Sequence, residues 1–171
     1  MAFVDIGRDI FIARHEMIKV FALCFAIFLV PLLFSQQLVA GTLVNAMLIY
    51  SALRIRGSWS YAPAIIPSIA AMLAGILFGV AHAVLIMLPF IWIGNIALIF
   101  MMKSMKDYAK SLATAAAVKT AILSVSVLAL VTFAGVPSAL IAGFTYLQLV
   151  TAISGGILAF VAMKGMADRN V

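Results

Sequence analysis

Residues 117–134 read AVKTAILSVSVLALVTFA. Lys119 stands near the start, and the stretch then runs without a charge to Ala134. In a bilayer, such a lysine is either an anchor at the headgroup edge or a functional charge inside. Which it is depends on where the membrane lies, and composition shows that there is one. The 171-residue chain is 67% hydrophobic and 9% charged, whereas soluble domains are about 45–50% apolar and about 25% charged. No soluble globule of this size hides so much apolar surface, so the solvent is lipid. The apolar runs are continuous, and about twice as long as the roughly ten-residue alternating strands of a membrane barrel. The expected fold class is therefore all-α, a polytopic helical membrane protein of one domain. The single cysteine, Cys24, forms no intrachain disulfide and reads as a packing residue.

A span needs about 20 apolar residues, with a range of roughly 17–25. Six segments qualify: 17–34, 38–53, 62–80, 83–102, 113–134 and 141–163. Pro31 is expected to break the first near its end, Pro63 and Pro67 lie early in the third, and Pro89 lies inside the fourth. The first run follows sixteen residues that carry both charge signs, with no small-residue cleavage site after it, so it reads as a span and not a signal peptide. Within residues 1–16, Phe3, Ile6, Ile10 and Ala13 recur at helical spacing among Asp5, Arg8, Asp9, Arg14 and Glu16. That pattern fits a short interfacial amphipathic helix, or equally a peripheral arm. The expected organisation is thus an N-terminal segment 1–16, a six-helix transmembrane domain 17–164 and a tail 165–171. SMKDYAKS, 104–111, is the nearest thing to a linker.

The charges orient the bundle. Arg8, Arg14 and Lys19, then Arg54 and Arg56, then Lys103, Lys106 and Lys110, then Lys164 and Arg169 all fall on one side of a six-span chain. The turns near 35–37, 81–83 and 135–138 on the other side carry no charge. Cytoplasmic loops hold the lysine and arginine excess, so both termini are expected in the cytoplasm and the chain in a cell membrane (plasma or inner), crossing several times. Topology and anionic lipid account for the basic face, and no basic domain for nucleic acid is present.

The residues argue against an enzyme. His15 and His82 are expected at opposite faces, no Asp or Glu lies in any span, and no H-E-x-x-H or P-loop pattern occurs. No metal or cofactor is expected, and any energy for transport must come from a partner. What remains in the spans is uncharged: Asn45 in GTLVNAML, Asn95 in WIGNIAL with Trp92 on its face, and Gln148 with Thr145 and Thr151 on its face. Each amide is either glue between helices, worth about 0.6–2 kcal/mol, or part of one cavity open to the outside, with Gln36, Gln37, His82 and Tyr146 near its mouth. Lys119, about six residues and roughly 9 Å into its span, reads first as a snorkelling anchor. The alternative puts it at the cavity floor, reaching an anionic ligand group, or in polar contact with a coupling partner. The candidate substrate-binding set is Gln36, Gln37, Asn45, His82, Trp92, Asn95, Lys119, Tyr146 and Gln148. Small pairs at i, i+4, Gly75/Gly79 in GILFG and Ala22/Ala26 in ALCFA, mark close helix contacts.

Taken together, the six spans, inside termini, absent ATPase motif, uncharged outer face and Ala22-Leu23-Cys24-Phe25-Ala26 resemble the substrate-binding S component of an energy-coupling factor (ECF) transporter. QQLVAGTLVNAMLI (36–49) and LPFIWIGNIAL (88–98) are similar to segments of prokaryotic members. The resemblance implies a membrane capsule that takes a small, vitamin-like nutrient from outside. Its Ala22/Ala26 face would dock on a transmembrane coupling subunit driven by two cytoplasmic ATPases, and the capsule would topple to release its load. Metal-specific relatives use an N-terminal histidine, whereas this chain begins Met-Ala-Phe. The expected substrate is a neutral or weakly charged heterocycle, held by amides and stacked on Trp92 or Tyr146, because the outer half offers no counter-charge. Two other classes compete: an accessory membrane subunit that uses the same polar residues as glue, and a small facilitator or channel.

Overall fold

The computed structural model describes the backbone of residues 2–34, 36–73 and 81–167, and the side chains of residues 14, 16–34, 36–73 and 85–166. The helices are α1 (Ala2–Leu33), α2 (Gln37–Arg54), a 3₁₀ helix (Gly57–Ala64), α3 (Ile66–Leu73), α4 (Ala81–Ser104), α5 (Tyr108–Ala134), α6 (Leu140–Phe144) and α7 (Tyr146–Ala167), with no strand among the described residues. Among the described residues four stretches, and not the six expected, are long and apolar enough to cross a membrane: Glu16–Leu33, Leu85–Ser104, Tyr108–Ala134 and Leu140–Met166; the expected spans 38–53 and 62–80 are not among them. Their outward faces are apolar and open, with Phe21 76% and Phe133 87% exposed. Side chains of that kind belong in lipid, and the chain is a multi-pass helical membrane protein.

The helices close a ring. Contacts run from α1 to α2, α7, α5, α4, α3 and back to α1, and α2 also meets α4 across the middle. α2 is the sheltered member. It buries Ala40, Val44, Asn45, Ala46, Leu48, Ile49, Ser51 and Ala52, the amide Asn45 among them, and is less apolar than the four lipid-facing stretches. Its tightest neighbour is α7. A Cβ built on Gly155 would stand 2.7 Å from the Asn45 Cβ, 2.8 Å from the Ala46 amide nitrogen and 2.8 Å from the Thr42 carbonyl oxygen. Only a residue without a side chain lets the two backbones meet this closely, as small residues do between membrane helices.

Several expected boundaries shift. Residues 2–33 form one helix running past Pro31, so the N-terminal stretch is continuous with the first span and is no separate element. The expected third span, 62–80, is a 3₁₀ helix followed by short α3. Pro63 and Pro67 withhold two backbone N–H groups, and the break between the two helices falls between them, at Ile65. The Gly75/Gly79 pair and the turn before α4 lie outside the described residues. Helix α5 begins at Tyr108 and not near 113, because Asp107 caps it: its Oδ1 accepts from the Lys110 amide at 2.9 Å. The last span is interrupted at Thr145. There Gln37 Nε2 donates to the Gly143 carbonyl at 3.2 Å, the group that an unbroken helix would offer to the amide four residues on.

The charged end of the bundle is tied together. Glu16 pairs with Lys19 at 3.0 Å and accepts from the Arg56 amide at 3.2 Å. Lys103 Nζ donates to the Gly57 carbonyl at 2.9 Å and to Ser60 Oγ at 2.8 Å. Thus α1, the link after α2, the 3₁₀ helix and the end of α4 meet at one end.

The closeness at Gly155 is the most vulnerable point of this packing. Gly155→Val is expected to force α2 and α7 apart and to lower stability by about 1–3 kcal/mol or more, read as thermal unfolding of the purified protein in detergent. Gly165→Ala, at a glycine whose added Cβ would meet no atom within 4 Å, is expected to leave the transition within about 0.5 kcal/mol of wild type.

Candidate functional site

Inside the ring lies a cavity of about 100 Å³. Every α-helix contributes to it: Pro31 from α1, Gln37, Ala40, Gly41, Val44 and Asn45 from α2, Pro67, Ser68 and Ala71 from α3, Ile91 and Asn95 from α4, Lys119 from α5, Phe144 from α6 and Gln148 from α7. The wall is mostly apolar, and its polar groups converge from separate elements.

Asn45 is the hub. Its Oδ1 accepts from Lys119 Nζ at 2.6 Å, and its Nδ2 donates to Thr151 Oγ1 at 3.2 Å. Thr151 in turn donates to the Gln148 carbonyl at 3.2 Å. One chain of hydrogen bonds therefore links α5, α2 and α7. Asn45 reaches Thr151 because α2 and α7 are pressed together at Gly155 and also at Gly41, where a Cβ would stand 3.0 Å from the Thr151 methyl.

Lys119 is only 3% exposed, which overturns the reading of it as a snorkelling anchor. The earlier start of α5 puts it about 16 Å from the helix end by axial rise, deeper than a span boundary at 113 implies. Its stem lies beside Gly94 of α4, next to Leu123, and its head points inward to Asn45. No described carboxylate faces it: Glu16 is occupied by Lys19 and Arg56, and Asp107 by the Lys110 amide, both elsewhere.

Of the nine residues singled out in the sequence, the cavity brings together Gln37, Asn45, Asn95, Lys119 and Gln148. Asn95 Nδ2 donates to the Ala64 carbonyl at 2.8 Å, across to the end of the 3₁₀ helix. Trp92 does not line the cavity. Its Nε1 donates to Ser68 Oγ at 2.7 Å, and Ser68 is the group that does. Gln36 is exposed just before α2, and Tyr146 is 59% exposed at the start of α7; neither lines the cavity. A ring at Tyr146 is therefore not placed to stack on a bound solute. The side chain of His82 lies outside the described residues. Ser68, Pro67, Phe144 and Thr151 join the site without having been singled out in the sequence. Thr151 alone had a signal, its shared helical face with Gln148; the others follow from how the short α3 and α6 pack.

Breaking the central bond tests whether the hub is one unit. Asn45→Leu, close to isosteric, removes the acceptor of the buried lysine and the donor to Thr151, and is expected to cost about 1–3 kcal/mol or more, the range for leaving a buried hydrogen-bonding group unsatisfied. In a Lys119→Met background the same change should cost less by about 1–3 kcal/mol. A double-mutant cycle in detergent unfolding measures that coupling. No protein-family model, curated protein or solved structure matches this chain, so what the cavity does is argued from its own chemistry.

Proposed function

We propose that the chain is a membrane-embedded solute-binding protein, the substrate-binding subunit of an uptake system whose energy comes from partner ATPases. The observation that carries this reading is the central cavity, where Gln37, Asn45, Ser68, Asn95, Lys119 and Gln148 converge from five helices in an otherwise apolar wall. Apolar surroundings with a few placed polar groups are the usual form of a small-molecule site. The substrate is small. An engineered apolar cavity of about 150 Å³ holds benzene, so about 100 Å³ suits a compact, neutral or weakly charged solute.

The S-component form of this proposal takes the helical segments as six crossings, in the cell membrane with both termini inside. Helix α2 has 18 residues and rises about 27 Å, close to the roughly 30 Å hydrocarbon thickness. The remaining crossing would fall in the sequence segment 62–80, of which the structure describes the end of the 3₁₀ helix and α3. The partner-facing surface is Ala22 and Ala26 on the outer side of α1. Ala22 is exposed between exposed Phe21 and Phe25, so a transmembrane coupling subunit has access to it.

A second reading has its own support. Gln37, Asn45 and Asn95 each hydrogen-bond across to another element, as glue residues do. An accessory membrane subunit would show those bonds without any solute.

Two measurements separate the readings. Purified protein screened against small metabolites is expected to show ligand-dependent thermal stabilisation, weakened in Gln148→Leu; the accessory-subunit reading expects no shift with any solute. Protein drawn from its native membrane is expected to bring an ATPase-bearing module with it, and Ala22→Trp to lose that module while unfolding within about 0.5 kcal/mol of wild type. Solute binding with no ATPase partner would leave a binding protein or facilitator and remove the ECF assignment.

A further inference from the structure

We infer that the solute carries a single negative charge, as a small monocarboxylate, and that Lys119 Nζ holds the carboxylate inside the cavity. This rests on reading the cavity as a solute site. The lysine is under-partnered. An ammonium has three donors, and Lys119 makes one hydrogen bond among the described residues, to the uncharged Asn45. It is buried, and it lines the cavity. A buried charge without a counter-charge is costly in any protein and more so at membrane depth. The two acidic side chains described are occupied at the charged end of the bundle and at the α5 cap. The missing counter-charge can therefore enter with the solute.

The site also limits how much charge it accepts. Among the described residues Lys119 is the only cationic side chain in the lining, and the rest of the wall is apolar, amide or, at Ser68, hydroxyl. One negative charge is matched there; a second, as on a dicarboxylate or a phosphate dianion, would be desolvated without a partner. Gln148 lies on the same wall with no side-chain hydrogen bond among the described residues, which leaves its amide for a second polar atom of the solute. The volume of about 100 Å³ restricts the acid to a few carbons.

The test compares each acid with its own amide, which has nearly the same shape and no charge. Acetate, propionate and lactate are titrated against acetamide, propionamide and lactamide, with succinate as the dianion, at matched ionic strength. The readout is ligand-dependent thermal stabilisation of the purified full chain. Charge-assisted hydrogen bonds exceed neutral ones by enough that at least one acid is expected to bind at least about tenfold tighter than its amide, and succinate more weakly than propionate. Lys119→Gln keeps a donor for Asn45 Oδ1 and removes the charge, so the acid-to-amide ratio is expected to fall to about one or below. Equal or tighter binding of the amides by the unaltered protein overturns the monocarboxylate inference and leaves the solute site standing. Binding of neither acid nor amide removes the inference, and the metabolite screen then decides the solute site separately. An acid preference that survives in Lys119→Gln shows that the lysine is not the determinant. The acid–amide comparison on the unaltered protein decides the charge of the solute even if the variant does not fold.

Discussion

The close approach of α2 and α7 at Gly155 is the constraint on which the site depends. With a Cβ at that position the Asn45 side chain and the α2 backbone would be displaced. Asn45 would then lose its reach to Thr151, and Lys119 its acceptor. Between membrane helices the hydrophobic effect supplies no attraction, so packing and hydrogen bonds hold the crossing. Here the packing contact and the hydrogen-bonded hub are the same few residues. That coincidence ties the stability of the bundle to the shape of its cavity.

The other polar side chains share a physical task. Backbone carbonyls left free by irregular structure must find donors when water is absent. Gln37 serves the Gly143 carbonyl at the α6–α7 interruption, and Asn95 serves the Ala64 carbonyl at the end of the 3₁₀ helix. Ser51 Oγ donates to the Ser60 carbonyl at 2.8 Å, both residues buried. Polar residues therefore stand where the helices are broken, and several of the breaks stand around the cavity. Glue and lining are one set of residues for Gln37, Asn45 and Asn95, which is why neither role alone describes them.

Much of this could be read from the residues, and the failures have identifiable causes. Apolar runs and few charges mark helices in lipid, and the basic residues of α1, of the link after α2 and of α4 do gather at one end through Lys19, Arg56 and Lys103. The amides stand out because polar groups in such runs demand partners. The depth of Lys119 was not legible, because the Asp107 cap begins α5 in the middle of what reads as linker. Its direction was not legible either: a helix that is apolar all round hides which side faces inward. The third segment reads as one span by hydropathy, which does not register that Pro63 and Pro67 divide it. Trp92 does share the inward side of α4 with Asn95, but its indole N–H finds Ser68 before any solute.

The bond between Lys119 and Asn45 also bears on how strongly the cavity can select. A free lysine on a membrane helix turns its long stem toward the headgroups, and holding it inward for a ligand would cost rotamer entropy at the moment of binding. In this fold the stem is packed beside Gly94 and Leu123 and the head is fixed by the 2.6 Å bond to Asn45. Asn45 is fixed in its turn by Thr151. The ordering cost is met when the bundle folds, by the same crossing that closes α2 on α7. Under the proposed function, a solute in the cavity would meet a positioned donor and lose little more than its own freedom. The lysine that looked out of place in an apolar run is held in position by the packing of α4 on α5 and by its bond to Asn45.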